Sequence, residues 1–161
     1  MQDLDYIRKI ICDRLNLVEY LPDICRPLVF TNGCFDILHR GHLDYLTRAA
    51  AFGKCLIVGV NDDNSVRRLN KGEGRPVNCL RDRIEVLAGL GCIDYVVPFH
   101  EDTPLELIKL IQPDHLVKGG DWPAEQIVGG NFVSTNGGQV HSLPVRYPLS
   151  TSKLIRRLRN T

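Results

Sequence analysis

Apolar residues along the chain follow two patterns that take turns. From Asp3 to Leu17 they recur every three or four positions, at Leu4, Ile7, Ile11 and Leu15, which is the spacing of one helical face. Pro27 to Thr31 and Cys55 to Val60 are short buried runs that read as strands, with Asp94 to Pro98, Asp114 to Lys118 and Gln139 to Leu143 completing five. Between them the helical period returns. Gly41 to Phe52 sets Leu43, Leu46 and Ala50 on one face, and Leu80 to Leu90 is a further helix. Asn61-Asp62-Asp63 supplies turn and cap chemistry for a short helix from Asn64 to Leu69. Thr103-Pro104 reads as an N-cap followed by proline at the first helical position, opening a helix to Ile111. Ser150-Thr151-Ser152 caps a last helix, Lys153 to Arg159.

Buried strands alternating with helices predict an α/β fold: a Rossmann-like parallel sheet of about five strands with helices on both faces. The expectation is a single domain over residues 1–161, with 1–26 as an N-terminal helical extension. Such sheets bind ligands beyond the carboxyl ends of their strands, where strand order reverses. The polar motifs of this chain follow strands.

Composition narrows the classes. The 161 residues are 43% hydrophobic and 24% charged, with a net charge of +1, which is an ordinary globular balance with no footprint for nucleic acid. The basic cluster Arg156, Arg157 and Arg159 is explained by a helix C-terminus or a solvated face. Six cysteines without a C-x-x-C spacing point to reduced, mostly buried thiols rather than zinc or a redox pair. No apolar run approaches the ~20 residues of a membrane span, and the acidic N-terminus does not read as a signal peptide. A cytoplasmic location is expected.

The segment with the most chemistry is Thr31-Asn-Gly-Cys-Phe-Asp-Ile-Leu-His-Arg-Gly-His42. Asn32-Gly33 forces a turn, and the amides after it lead into a helix start, a natural anion site. His39 and His42, three apart, can face one ligand, and Gly41 between them leaves room beside the backbone. Two imidazoles there suit a phosphoryl group, donating to oxygens that gain charge in an in-line displacement. The rival readings are a metal pair or two structural histidines; no third ligand at typical spacing supports zinc.

Thr31 to Asp36 followed by His39-Arg-Gly-His42 resembles the cytidylyltransferase-like nucleotidyltransferase superfamily. Further segments are similar to its heptose 1-phosphate adenylyltransferase branch. They are Lys71-Gly-Glu-Gly-Arg-Pro-Val77, Glu101-Asp-Thr-Pro104, Pro113 to Trp122, and Leu149-Ser-Thr-Ser-Lys153. The resemblance implies transfer of AMP from ATP to D-glycero-β-D-manno-heptose 1-phosphate, giving ADP-heptose for lipopolysaccharide core synthesis and pyrophosphate. Magnesium or another divalent cation would assist, a homodimer is common, and a separate kinase would make the sugar phosphate. The alternative is a cytidylyltransferase acting on glycerol 3-phosphate or a similar alcohol. A regulatory module without turnover fits the two histidines poorly, and an aminoacyl-tRNA synthetase fragment fits the short, near-neutral chain poorly.

Site roles follow from the same resemblance. His39, His42, Lys71 and Lys118 are expected to be catalytic, and Thr31, Asn32, Gly33, Cys34, Phe35 and Gly41 to contact nucleotide. Gly119 clears space for it, Asp121 is expected on a ribose hydroxyl or on Lys118, and Trp122 on a base or over the core. The hydroxyls of Ser150, Thr151 and Ser152, at a helix start, suit the triphosphate. Arg75 and Arg83 are candidates for substrate phosphate, Arg83 equally for bracing its helix, and Arg146 is a weaker candidate. Asp36 is a candidate helix cap, magnesium ligand or orienting acceptor for a histidine.

Overall fold

The structure is a computed structural model that describes residues 14–70, 72 and 74–159. Five strands form it: β1 Leu28–Gly33, β2 Cys55–Asn61, β3 Tyr95–Phe99, β4 His115–Gly119 and β5 Gln139–Leu143. They pair in parallel in the order β3-β2-β1-β4-β5. The chain starts at β1 in the middle, winds outward to β3, then crosses back to lay β4 on the other side of β1. Strand order therefore reverses between β1 and β4. Their carboxyl ends, Asn32-Gly33 and Lys118-Gly119, border the crevice that such a reversal leaves.

Period-two alternation along the strands makes two cores. Leu28, Phe30, Ile57, Val97 and Leu116 face one way. They pack on Leu17 of α1 (Arg14–Tyr20), on Leu107, Ile108 and Ile111 of α5 (Leu105–Ile111), and on Val133 of α6 (Gly130–Thr135). Val29, Leu56, Val58, Val96 and Val117 face the other way, onto Leu46 and Ala49 of α2 (Arg40–Ala50) and Leu87 and Ala88 of α4 (Leu80–Ala88). Each fully buried side chain of this size contributes about 1.5–3 kcal/mol. Two aspartates fix the amino ends of neighbouring strands in the same way. Asp114 accepts from the Leu28 amide at 2.6 Å and Asp94 from the Leu56 amide at 2.7 Å.

Between β2 and α4 lies α3 (Asp63–Arg68), capped as expected by Asp62, whose side chain accepts from the Ser65 amide. The predicted helix Asp3 to Leu17 and most of the 1–26 extension lie outside the described residues. Pro104 is not the first helical residue. It occupies the cap position of α5, where its carbonyl accepts from the Ile108 amide at 2.9 Å, so Thr103 lies outside the helix. The last helix, α7, runs Thr151–Arg159, two residues earlier than expected. Residues 120–138, with no periodic signal, hold the 3-10 turn Ala124–Gln126 and α6.

Candidate active site

A cleft of about 380 Å³ opens at the carboxyl ends of β1 and β4 and is closed on its far side by the start of α7. His39 is the cap residue of α2, and His42 lies in the first turn of that helix. Their rings stack with centroids 3.8 Å apart and planes 18° from parallel, and Phe35 meets His42 in a T-shaped contact with centroids 5.4 Å apart. Gly41 explains the stack. A Cβ there would stand 3.1 Å from the His39 ring, so glycine makes room for the imidazole itself.

Both ring nitrogens of His39 and Nδ1 of His42 are buried without a protein partner among the described residues. Buried polar atoms left unpaired cost about 1–3 kcal/mol each, so each calls for an ordered water, an ion or a catalytic role. Burial lowers the pKa of His39, and burial, His39 and Arg75 bring His42 down to about 4. Both rings are neutral at pH 7 in the free chain, so each carries one N–H to donate. An unfolded histidine titrates near 6.5. As pH falls below that value the unfolded chain takes up protons that the folded cleft refuses. The stability held by a neutral His42 is thus intact above pH 6.5 and lost towards pH 4. The midpoint of thermal unfolding should fall across this window, and His42→Asn should flatten the fall. Identical slopes in the two proteins would contradict the assignment.

The remaining walls are basic. Asp44 on α2 pairs with Arg48 at 2.8 Å and lies 3.7 Å from Arg146, gathering both at the rim. Arg48 also donates to the Pro144 carbonyl, tying α2 to the segment after β5. Lys118 reaches from β4 across to Asn32 of β1, with Nζ 3.2 Å from Oδ1. Ser150 caps α7, its Oγ accepting from the Lys153 amide. The Ser152 hydroxyl lies 3.4 Å from Arg75 Nη1.

Asp36 has none of the three roles weighed for it. Its carboxylate is fully buried and accepts from Arg75 Nε at 2.9 Å and from the amides of Val77 and Asn78 at 2.8 and 2.9 Å. It holds the segment after Gly74 against the cleft, and Arg75 with it. An oxygen ligand with these commitments does not fit a resident cation, and no group of three metal-binding side chains comes together among the described residues.

Most of the predicted residues converge: Asn32, Gly33, Cys34, Phe35, His39, Gly41, His42, Arg75, Lys118, Gly119, Arg146 and Ser150 to Ser152 all line the cleft. Others do not. Thr31 is buried beneath it, hydrogen-bonded to the Tyr45 hydroxyl, which donates in turn to the Val117 carbonyl. Thr151 lines the wall, but its hydroxyl donates to the Ile37 carbonyl and docks α7. Arg83 is 2% exposed and fully engaged by Cys34 O, Asn78 O and Asp63, so it is a brace and not a phosphate contact. Asp121 is exposed and lines no part of the cleft. Trp122 covers no core: it is 50% exposed and lines a neighbouring chamber. Lys71 lies outside the described residues. Tyr45 and Arg48 were missed, although they follow Gly41 at i+4 and i+7 on one face of α2.

A parallel sheet with a basic, histidine-bearing cleft at its switch point defines an α/β nucleotide-binding protein. The chain belongs to the cytidylyltransferase-like family, whose model matches residues 30–157. It is 56% identical over 133 residues to the "Bifunctional protein HldE" of Coxiella burnetii (strain RSA 493 / Nine Mile phase I), covering 83% of this chain but only 28% of that protein. It is 52% identical over 134 residues to the "D-beta-D-heptose 1-phosphate adenylyltransferase" of Bordetella bronchiseptica, covering 83% of each. Among solved structures, the lipopolysaccharide core biosynthesis protein from Thermoplasma volcanium superposes with a TM-score of 0.59 at 25% identity, over 73% of this chain and 94% of that one. The pantoate-beta-alanine ligase of Francisella tularensis shares the fold, with a TM-score of 0.64 at 15% identity over 91% of this chain and 72% of that one. No helix among the described residues is long and apolar enough to cross a membrane.

Proposed function

We propose that this chain transfers AMP from ATP to a heptose 1-phosphate and releases pyrophosphate. The observation that carries the reading is the pair of stacked imidazoles, with unpartnered ring nitrogens, in one cleft with Lys118 and the start of α7. The Bordetella relative's name supports the heptose over other acceptors.

An oxygen of the acceptor phosphate attacks the α-phosphorus of ATP. As that P–O bond forms, the bond to the β-bridging oxygen breaks and pyrophosphate leaves with the electron pair. The nucleophile is already anionic, so no general base is needed. The protein's task is positioning and charge stabilisation. His39 and His42 donate to non-bridging oxygens, more strongly once phosphate charge favours their protonated forms. Arg48, Arg75 and Arg146, with the amides and hydroxyls that open α7, hold the triphosphate. Lys118 stands between the two reacting phosphates. Asp36 does not fit magnesium, and a divalent cation brought in with the nucleotide would supply further neutralisation of phosphate charge.

Such an enzyme works where ATP is made, in the cytoplasm, and a kinase that phosphorylates the anomeric position must supply its acceptor. Incubation with ATP, magnesium and heptose 1-phosphate should release pyrophosphate, with CTP and glycerol 3-phosphate as the poorer pair. Faster release from that second pair would transfer the chain to the cytidylyltransferase alternative.

A further inference from the structure

A second chamber, of about 290 Å³, adjoins the cleft and shares Asn32, Gly33 and Lys118 with it. Strand alternation explains the position. Leu116 and Lys118 of β4 point to the α5 face of the sheet, as do Phe30 and Asn32 of β1, whereas the histidines stand on the α2 side. The two spaces thus lie on either side of the Lys118–Asn32 contact, and their chemistry differs. The cleft holds three arginines, two histidines and Lys118. Among the described residues, the charged ones that line the chamber are Lys118 and Asp102, and Asp102 is already paired with Arg68.

Resting on the adenylyltransferase reading, we propose that this chamber seats the sugar body of the acceptor and that Trp122 and Gln126 set its specificity. A triphosphate seeks the arginine-rich cleft, leaving the near-neutral space to a polyol that carries a single phosphate. An in-line displacement needs the acceptor on the side of the α-phosphorus opposite the departing pyrophosphate, which two compartments meeting at one lysine provide. The indole of Trp122 is fixed by its own Nε1–H, which donates to the Gly119 carbonyl at 3.1 Å. Its half-exposed face is then free of polar demand and offers apolar surface to the C–H face of a sugar ring. Gln126 on the 3-10 turn and Thr103 opposite bring an amide and a hydroxyl to the same space, and these suit sugar hydroxyls. A site built on such pairs rejects analogues that lack the hydroxyl.

The chain has one tryptophan, so its emission reports on the chamber directly. Heptose 1-phosphate should shift that emission in the wild-type protein, and ATP alone should shift it little. In steady-state kinetics Trp122→Ala and Gln126→Ala should raise KM for heptose 1-phosphate by about tenfold or more and leave KM for ATP within about twofold. Trp122→Phe should recover most of the loss. Both positions are exposed, and unchanged thermal unfolding checks the fold of each variant. If Trp122→Ala raises KM for ATP instead, the base sits on the indole and the proposal is overturned. Wild-type turnover with neither the emission shift nor the KM change overturns the chamber alone. A wild-type protein that releases no pyrophosphate with any sugar 1-phosphate removes the adenylyltransferase reading, and this one with it.

Discussion

Replacing His42 with alanine is expected to lower kcat for pyrophosphate release by about 10²–10³-fold, the usual cost of deleting one preorganised donor at a developing oxyanion. The effect should fall on kcat more than on KM for ATP, because the arginines and the α7 start still hold the triphosphate. The fold should tolerate the change. His42 Nδ1 is buried without a partner among the described residues, so removing the ring relieves a desolvation cost while losing the contact with Phe35. Circular dichroism melts should therefore show a transition close to that of the wild type. Retained turnover would remove His42 from the chemistry, and a collapsed melt would make it structural. His39→Ala should behave similarly, since the stacked rings share one task.

Replacing Asp36 with alanine is expected to damage stability and activity together. The change leaves the Arg75 guanidinium and two backbone amides without their buried acceptor. Breaking one side of a buried ion pair costs about 3–5 kcal/mol, and for a chain of this size that lowers the melting midpoint by roughly 10 °C. Arg75 would also lose the contact that holds it beside Ser152, so KM for ATP should rise. Calorimetry with steady-state kinetics checks both. A magnesium ligand would behave differently: the melt would be nearly unchanged and excess magnesium would restore the rate. That outcome would overturn the anchoring role.

The fold was legible because helical segments separate the buried β-runs, so strand and helix periods pointed to one architecture. What periodicity did not show was residues 120–138. Pro123, the glycine pair at 129–130 and a six-residue helix leave too few apolar repeats to register, yet this stretch builds one wall of the second chamber. Within the site, the histidine motif was readable from its own spacing. The fates of Thr31, Arg83 and Asp36 were not, because each depends on a partner distant in sequence: Tyr45 with Val117, Asp63 with Cys34, and Arg75. Side-chain direction at a strand end is set by register, and register is not written in a motif. Tyr45 and Arg48 were within reach, since helical geometry alone carries the face of Gly41 to them.

The most direct measurement is the crystal structure of the chain with a non-hydrolysable ATP analogue. The triphosphate is expected between the stacked rings of His39 and His42 and the first turn of α7, with Arg75 and Lys118 within hydrogen-bonding reach of its oxygens. A triphosphate seated in the Trp122 chamber, or away from both histidines, would contradict it.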